Sequence, residues 1–202
     1  MISTQSAGLR GSSVTIRHVE TLSDDYYTLR RYALDVPRRD GTSQSITRQV
    51  CIRGDSAVIL LISDTTDTVV LVRQFRLPLL VRGDSNGILT ELPGGLLDGE
   101  TAADAVRREV EQETGYRILT VNEVLSAYMS PSLLTERTHF FTGTYEPADR
   151  VSNGGGVPGE GEDIEVVEVP FRDALAMVER GEIDDARTIL LLQHMRLQRL
   201  DQ

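Results

Sequence analysis

Apolar positions change rhythm along this chain, and the changes mark its elements. Ser13–Leu22 and Tyr26–Asp35 read as strands, the second alternating and followed by a turn at Arg38–Gly41. Thr47–Arg53 is a further strand. Ala57–Ser63 and Thr68–Phe75 are β-branched runs on either side of the polar turn Asp64–Asp67, which predicts a hairpin. The short strand Ile88–Glu91 leads into a glycine-containing loop. From Thr101 the period lengthens to that of a helix. Thr101 is placed as N-cap, Asp104 as the acid of a capping box, and Ala103, Val106 and Val110 as the buried stripe. Gly115 ends the helix in a left-handed conformation. Val121–Met129, Glu136–Tyr145 and Ile164–Val169 read as strands, and Phe171–Arg180 and Asp184–Leu200 as helices separated by Gly181. Between them, Glu146–Glu162 is a long glycine-rich connection that reads as a mobile flap. The fold class is α+β: a mixed sheet sandwiched between helices, with an N-terminal antiparallel strand extension. Residues 1–12 read as a disordered tail, 13–55 as the strand extension and 56–202 as the main domain.

Composition narrows the function. The chain has 202 residues, enough for one domain with a core and one added element. Lys and Arg number 21 against 31 Asp and Glu, a net charge of −10, so the molecule carries no electrostatic footprint for a nucleic-acid backbone. Cys51 is the only cysteine, which excludes an internal disulfide and reads as a packed thiol. The longest apolar run, Ala57–Ile62, is strand-sized and not membrane-spanning. The N-terminal stretch is polar, without a signal core. The expectation is a cytoplasmic protein without membrane or nucleic-acid partners.

The chemistry concentrates on the helix after Thr101. Glu109 and Glu113 are four apart and so share one face, at the border of the buried stripe. Like charges at that spacing cost roughly 0.2–0.5 kcal/mol and invite a cation between them. Hard carboxylate oxygens suit Mg²⁺, Mn²⁺ or Ca²⁺. Other signals are weaker. Arg73 reads as a solvated strand charge, Arg76 as a phosphate contact, and His139 as a packed histidine. Gly154–Gly156 lacks the Lys-Ser/Thr of a P-loop.

Residues Gly94–Tyr116, GGLLDGETAADAVRREVEQETGY, resemble the Nudix box, G-x5-E-x7-R-E-U-x-E-E-x-G-U with U apolar. Gly94, Glu100, Arg108, Glu109, Val110, Glu113 and Gly115 match; Gln112 replaces the first glutamate of the usual pair, and Tyr116 fills the last apolar position. TVVLVRQFR from Thr68 and Glu91-Leu92-Pro93-Gly94-Gly95 are similar to the nucleoside diphosphate sugar branch, which includes ADP-ribose pyrophosphatases. LSDDYYTL from Leu22, YMSPSLLTERTHFF from Tyr128, GGGVPGEGEDIEV from Gly154 and GEIDDARTILLL from Gly181 are similar to the bacterial GDP-mannose pyrophosphatase family.

That resemblance implies the Nudix fold and hydrolysis of GDP-mannose to GMP and mannose 1-phosphate, with Mg²⁺, or Mn²⁺ in its place, in a homodimer with exchanged N-terminal strands. The alternative it leaves is an ADP-ribose or ADP-sugar pyrophosphatase. It implies metal ligation by the Gly94 carbonyl, Glu109, Glu113 and Glu162, and substrate contacts from Tyr26, Arg48, Arg76, Gly95, Leu96, Glu136, Gly161 and Arg187. Glu160 is the candidate general base, with Glu162 and Glu136 as alternatives. Arg108 is expected to pair with Glu100 and brace the loop. Two departures bear on the substrate: a Lys-Arg-Glu segment is Thr47-Arg48-Gln49 here, and a contact lysine is Arg187. A sugar-nucleotide sensor without catalysis is the competing class. It has no need of Glu109 and Glu113.

Overall fold

The computed structural model describes residues 8–9, 12–83 and 86–200. Most of the tail read as disordered, residues 1–7 and 10–11, lies outside the described residues. Gly8–Leu9 (β1) pairs antiparallel with Ser12–Ser13 (β2). The chain divides into two units.

One unit joins the described residues up to Gly54 to a distant stretch, Tyr128–Arg137. Thr15–Asp24 (β3), Thr28–Pro37 (β4) and Ser43–Ile52 (β5) form an antiparallel sheet in sequence order. The β4–β5 turn closes where the sequence places it: the Arg38 N–H donates to the Thr42 carbonyl at 2.7 Å, and Gly41 takes φ 86°. β5 starts earlier than its apolar pattern implies. Ser43–Ile46 carry no hydrophobic run, but they pair with Leu34–Pro37 and are held by the ladder. The stretch from residue 128 docks on β5 through backbone: the Cys51 N–H donates to the Leu133 carbonyl (2.9 Å), and the Thr135 N–H donates to the Cys51 carbonyl (3.2 Å). Cys51 is half-buried. No residue of β3, β4 or β5 is fully buried.

The other unit holds Asp55–Ala127 and the described residues from Thr138 onward. Its elements are Ser56–Ser63 (β6), Thr68–Phe75 (β7), Leu77–Arg82 (α1), Ile88–Glu91 (β8), Gly94–Leu96 (β9), Ala102–Thr114 (α2), Asn122–Tyr128 (β10), Arg137–Thr144 (β11), Glu165–Pro170 (β12), Phe171–Glu179 (α3) and Ala186–Leu200 (α4). The sheet runs β10-β11-β6-β7-β12, with β8 also on β7 and β9 on β6. β6 and β11 are parallel, while β7 pairs antiparallel with β6, β8 and β12, so the sheet is mixed.

β6 explains the layering. All eight of its residues are buried, as expected of a continuous apolar run covered on both faces. Ala57, Ile59 and Leu61 join Val70, Val106, Val110, Tyr116 and Phe141 in the core beneath α2. Each of the Val, Ile, Leu and Phe side chains among them contributes roughly 1.5–3 kcal/mol by leaving water. The alternate residues face the other way, where α4 packs on β6 and Ile62 lines a cavity with Met195 and Arg199. α1 escapes periodicity because it is only six residues long. Its signals are Pro78 in the first turn and Gly83 ending it at φ 87°. No helix among the described residues is long and apolar enough to cross a membrane.

Candidate active site

α2 carries the centre of the site. The Thr101 hydroxyl accepts from the Asp104 N–H at 3.2 Å, and Gly115 closes the helix at φ 79°. The buried face is Ala105, Val106, Val110, Glu113 and Thr114. Glu113 therefore lies within that face, not at its border, and is 2 % exposed. Its carboxylate accepts from the Gly94 N–H at 2.9 Å, and the Gln74 amide lies at 3.4 Å. Close approach to backbone requires glycine at 94, while a side chain at 95 would displace the Glu109 carboxylate. A Cβ on Gly94 would stand 2.2 Å from the Ala57 carbonyl oxygen, and one on Gly95 would stand 2.4 Å from Glu109 Oε1.

Arg108 braces this loop and helix. Its Nε reaches both Glu100 oxygens at 3.3 Å, its Nη1 donates to Glu109 Oε1 at 2.8 Å and to Gln112 Oε1 at 3.2 Å, and its Nη2 lies 3.5 Å from the Leu96 carbonyl. The expected pair with Glu100 is present. The contacts with Glu109 and Gln112 were not anticipated.

The glycine-rich connection is not a free flap throughout. The Gly155 and Gly156 N–H groups donate to the Glu113 and Gln112 carbonyls at 2.9 and 3.0 Å, and the Val151 N–H donates to the Gly115 carbonyl at 2.8 Å. Gly154, Gly155 and Gly156 all take positive φ. Gly155 and Gly156 thus satisfy carbonyls that the end of α2 leaves unpaired. Beyond them, Pro158–Glu160 forms a single 3₁₀ turn closed by Gly161 at φ 78°. Glu160 is exposed. Glu162 is half-buried and accepts from the Val157 N–H at 2.8 Å.

The carboxylates act on one another. Desolvation first, then the charges of Glu109, Glu91 and Glu162, push the Glu113 carboxyl up to about 8, against the opposing Gly94 hydrogen bond. Glu109 is also raised, by desolvation and by the charges of Glu162 and Glu160, although Arg108 pulls it down. Among the described residues no three His, Cys, Asp or Glu side chains converge as a finished metal cage. Each carboxylate is held by its own partner. An all-oxygen set of mutually repelling, partly buried carboxylates nevertheless fits a hard divalent cation and no soft one.

Arg76 and Arg187 are brought together by a residue that the sequence reading passed over. Glu91, 1 % exposed, accepts from Arg76 Nε at 2.7 Å and from Arg187 Nη2 at 2.5 Å. Arg187 Nε also donates to Asp185 Oδ1 at 3.2 Å, and Asp185 Oδ2 accepts from the Thr188 N–H and hydroxyl at the start of α4. A carboxylate beside Leu-Pro-Gly-Gly was the available signal, but its partners stand 15 and 96 positions away.

Tyr26, Arg48 and Glu136 belong to the strand unit. Tyr26, 83 % exposed, stands edge-on to Tyr27 between β3 and β4. Arg48 lies opposite Tyr32 in the β4–β5 ladder. Glu136 is buried and pairs with Arg53 Nη1 at 2.9 Å. In the other unit, His139 is half-buried with its Nδ1 2.8 Å from Glu123 Oε1, and Arg73 reaches Glu165 at 3.6 Å.

A mixed sheet carrying a glycine loop and a carboxylate-bearing helix against its face defines the class. The NUDIX domain family matches residues 53–192, and the family described as the GDP-mannose pyrophosphatase NudK N-terminal domain matches residues 13–50. The chain belongs to the Nudix family of hydrolases, which use divalent cations. It is 44% identical to the GDP-mannose pyrophosphatase of Pectobacterium atrosepticum, over 91% of this chain and 94% of that one. It is also 44% identical to that of Salmonella typhimurium, over 93% and 97%. A crystal structure of an ADP compounds hydrolase superposes with a TM-score of 0.69 at 20% identity, covering 98% of this chain and 96% of that one, which speaks to the fold.

Proposed function

We propose that this chain hydrolyses the pyrophosphate bond of a nucleoside diphosphate sugar, GDP-mannose before ADP-ribose or ADP-sugars, giving GMP and mannose 1-phosphate. The observation that carries the reading is Glu113 of the box helix, a carboxylate buried against the Gly94 N–H and raised to about 8 by desolvation and by the charges of Glu109, Glu91 and Glu162. Such a group makes chemical sense as a ligand. Glu109, Glu113, Glu162 and the Gly94 carbonyl would hold Mg²⁺, or Mn²⁺ in its place. The bound cation would neutralise the diphosphate and lower the pKa of a bound water toward neutrality.

The remaining steps fall to the chain's own groups. Arg108, tied to Glu100 and the Leu96 carbonyl, keeps the Gly94–Leu96 strand against α2. Arg76 and Arg187 present guanidiniums suited to phosphate oxygens, and the backbone at Gly95, Leu96 and Gly161 lines the path of the substrate. Glu160, exposed at the end of its 3₁₀ turn, accepts the proton of the attacking water. Glu162 and Glu136 remain as its alternatives. Tyr26, Arg48 and Glu136 contact nucleotide and sugar. Support for Tyr26 and Arg48 acting on a partner's site in a homodimer with exchanged strands comes from β3–β5, which bury no residue fully in one chain. The free, half-buried Cys51 suits a cytoplasmic setting.

The test is a panel of GDP-mannose, ADP-ribose and ADP-glucose with Mg²⁺, reading released nucleoside monophosphate. The highest kcat/KM should fall on GDP-mannose. A preference for ADP-ribose would transfer the assignment to the ADP-sugar branch, and binding without turnover would make the chain a sensor.

A further inference from the structure

We infer that Glu91 is a positioning residue of this site: a buried carboxylate that fixes Arg76 and Arg187 so that both guanidiniums meet the diphosphate of the substrate. The inference rests on the reading that the site takes a nucleoside diphosphate sugar. Glu91 ends β8 and is almost wholly buried, where an unpaired carboxylate is costly. Each of its oxygens serves a different arginine: Oε1 takes Arg76 Nε, and Oε2 takes Arg187 Nη2. One arginine follows β7 and the other lies in the first turn of α4. One carboxylate thus ties together two cations that arise far apart in the chain.

Charge alone does not explain this arrangement. Arg76 and Arg187 are matched by Glu91 and Asp185, so the cluster holds no surplus of positive charge. What it supplies is fixed geometry. The arginine side chains remain 38% and 22% exposed, whereas Glu91 offers nothing to solvent. A guanidinium already immobilised from behind loses less freedom on meeting phosphate oxygens. The cluster also adjoins the carboxylate face. Gly94, three residues after Glu91, donates to Glu113, and Gln74, two residues before Arg76, lies beside the same carboxylate.

The experiment uses the full chain with Glu91→Gln and Glu91→Asp. Steady-state kinetics with GDP-mannose and Mg²⁺ are read beside GDP and ADP binding by calorimetry. Glu91→Gln should raise KM and the nucleotide Kd about 10- to 100-fold, the range for hydrogen bonds to charged groups. kcat should fall by less than KM rises. Glu91→Asp, which keeps the charge one methylene short, should recover part of the loss. Combined with Arg187→Lys, Glu91→Gln should cost less than the product of the single effects. A lowered Tm with unchanged KM and Kd, or effects that multiply independently, overturns the inference. If Glu91→Gln does not fold, Glu91→Asp decides, and unchanged KM and GDP Kd overturn it. If the wild type cleaves no sugar nucleotide, the binding series still decides. Nucleotide binding weakened by Glu91→Gln then upholds the role of Glu91 although the hydrolysis reading falls, whereas insensitive binding, or no binding by the wild type, sinks that role.

Discussion

A single carboxylate, Glu113, carries the tension between folding and function. It is packed where a helix would place an apolar residue, with one backbone N–H against three repelling charges. Its carboxyl, at about 8 in the folded cation-free chain, lies above its ordinary 4.5. The folded state therefore binds the extra proton more tightly, and that stability is present below about 4.5 and lost as pH rises toward about 8. The Tm of chelator-treated protein should fall across that window. Mg²⁺ should flatten the fall, and Glu113→Gln, neutral at every pH, should reduce it. The same variant should keep its fold and lose turnover by about a hundredfold or more, at least the loss typical of groups that merely orient metal ligands. Flat Tm profiles in both proteins, or near-wild-type turnover at saturating Mg²⁺, would refute the ligand assignment. The pair Glu109 and Glu113 was legible because helical spacing is local. Glu91 was not, because nothing near it in sequence shows that two distant arginines close over it.

Elements show the same divide. Strongly periodic segments such as β6 and α2 announce themselves, since hydrophobic repetition records which face is covered. α1 is too short to repeat. Gly154–Gly156 leave no pattern because glycine has no side chain, so their docking on the end of α2 was invisible, and a flap was the natural reading. That docking makes an unusual demand. At Gly154, φ is +67° and a Cβ would stand 2.4 Å from the Glu113 carbonyl oxygen, whereas Gly161, at φ +78°, has open space. Gly154→Ala should thus cost the left-handed penalty of about 1–2 kcal/mol and the clash besides, while Gly161→Ala should cost the penalty alone. Chemical denaturation of both variants measures the difference, and equal losses would show that the docked segment gives way freely. Gly154→Ala should also lower activity, because the shifted backbone carries the segment leading to Glu162.

At the scale of the molecule, the strand unit fully buries no apolar side chain among its described residues. Three ten-residue strands form β3–β5 without a fully buried position, and Ile16, Tyr26 and Tyr27 are exposed. Independent sheets of this size need a covered apolar face. A second copy would supply one with no further partner, and exchange of the strands would carry Tyr26 and Arg48 to the other chain's site. Light scattering should report twice the 22.4 kDa chain mass. Complementation tests the exchange itself. Glu113→Gln and a Tyr26→Ala/Arg48→Ala chain should each be nearly inactive. Co-refolded in equal amounts, half the dimers are mixed, and each mixed dimer joins one intact carboxylate face to intact strands from the other chain. About a quarter of wild-type activity should return. If each site takes both parts from one chain, every site in the mixed dimer keeps a lesion and nothing returns. That outcome, or a monomer with full activity, would confine Tyr26 and Arg48 to their own chain.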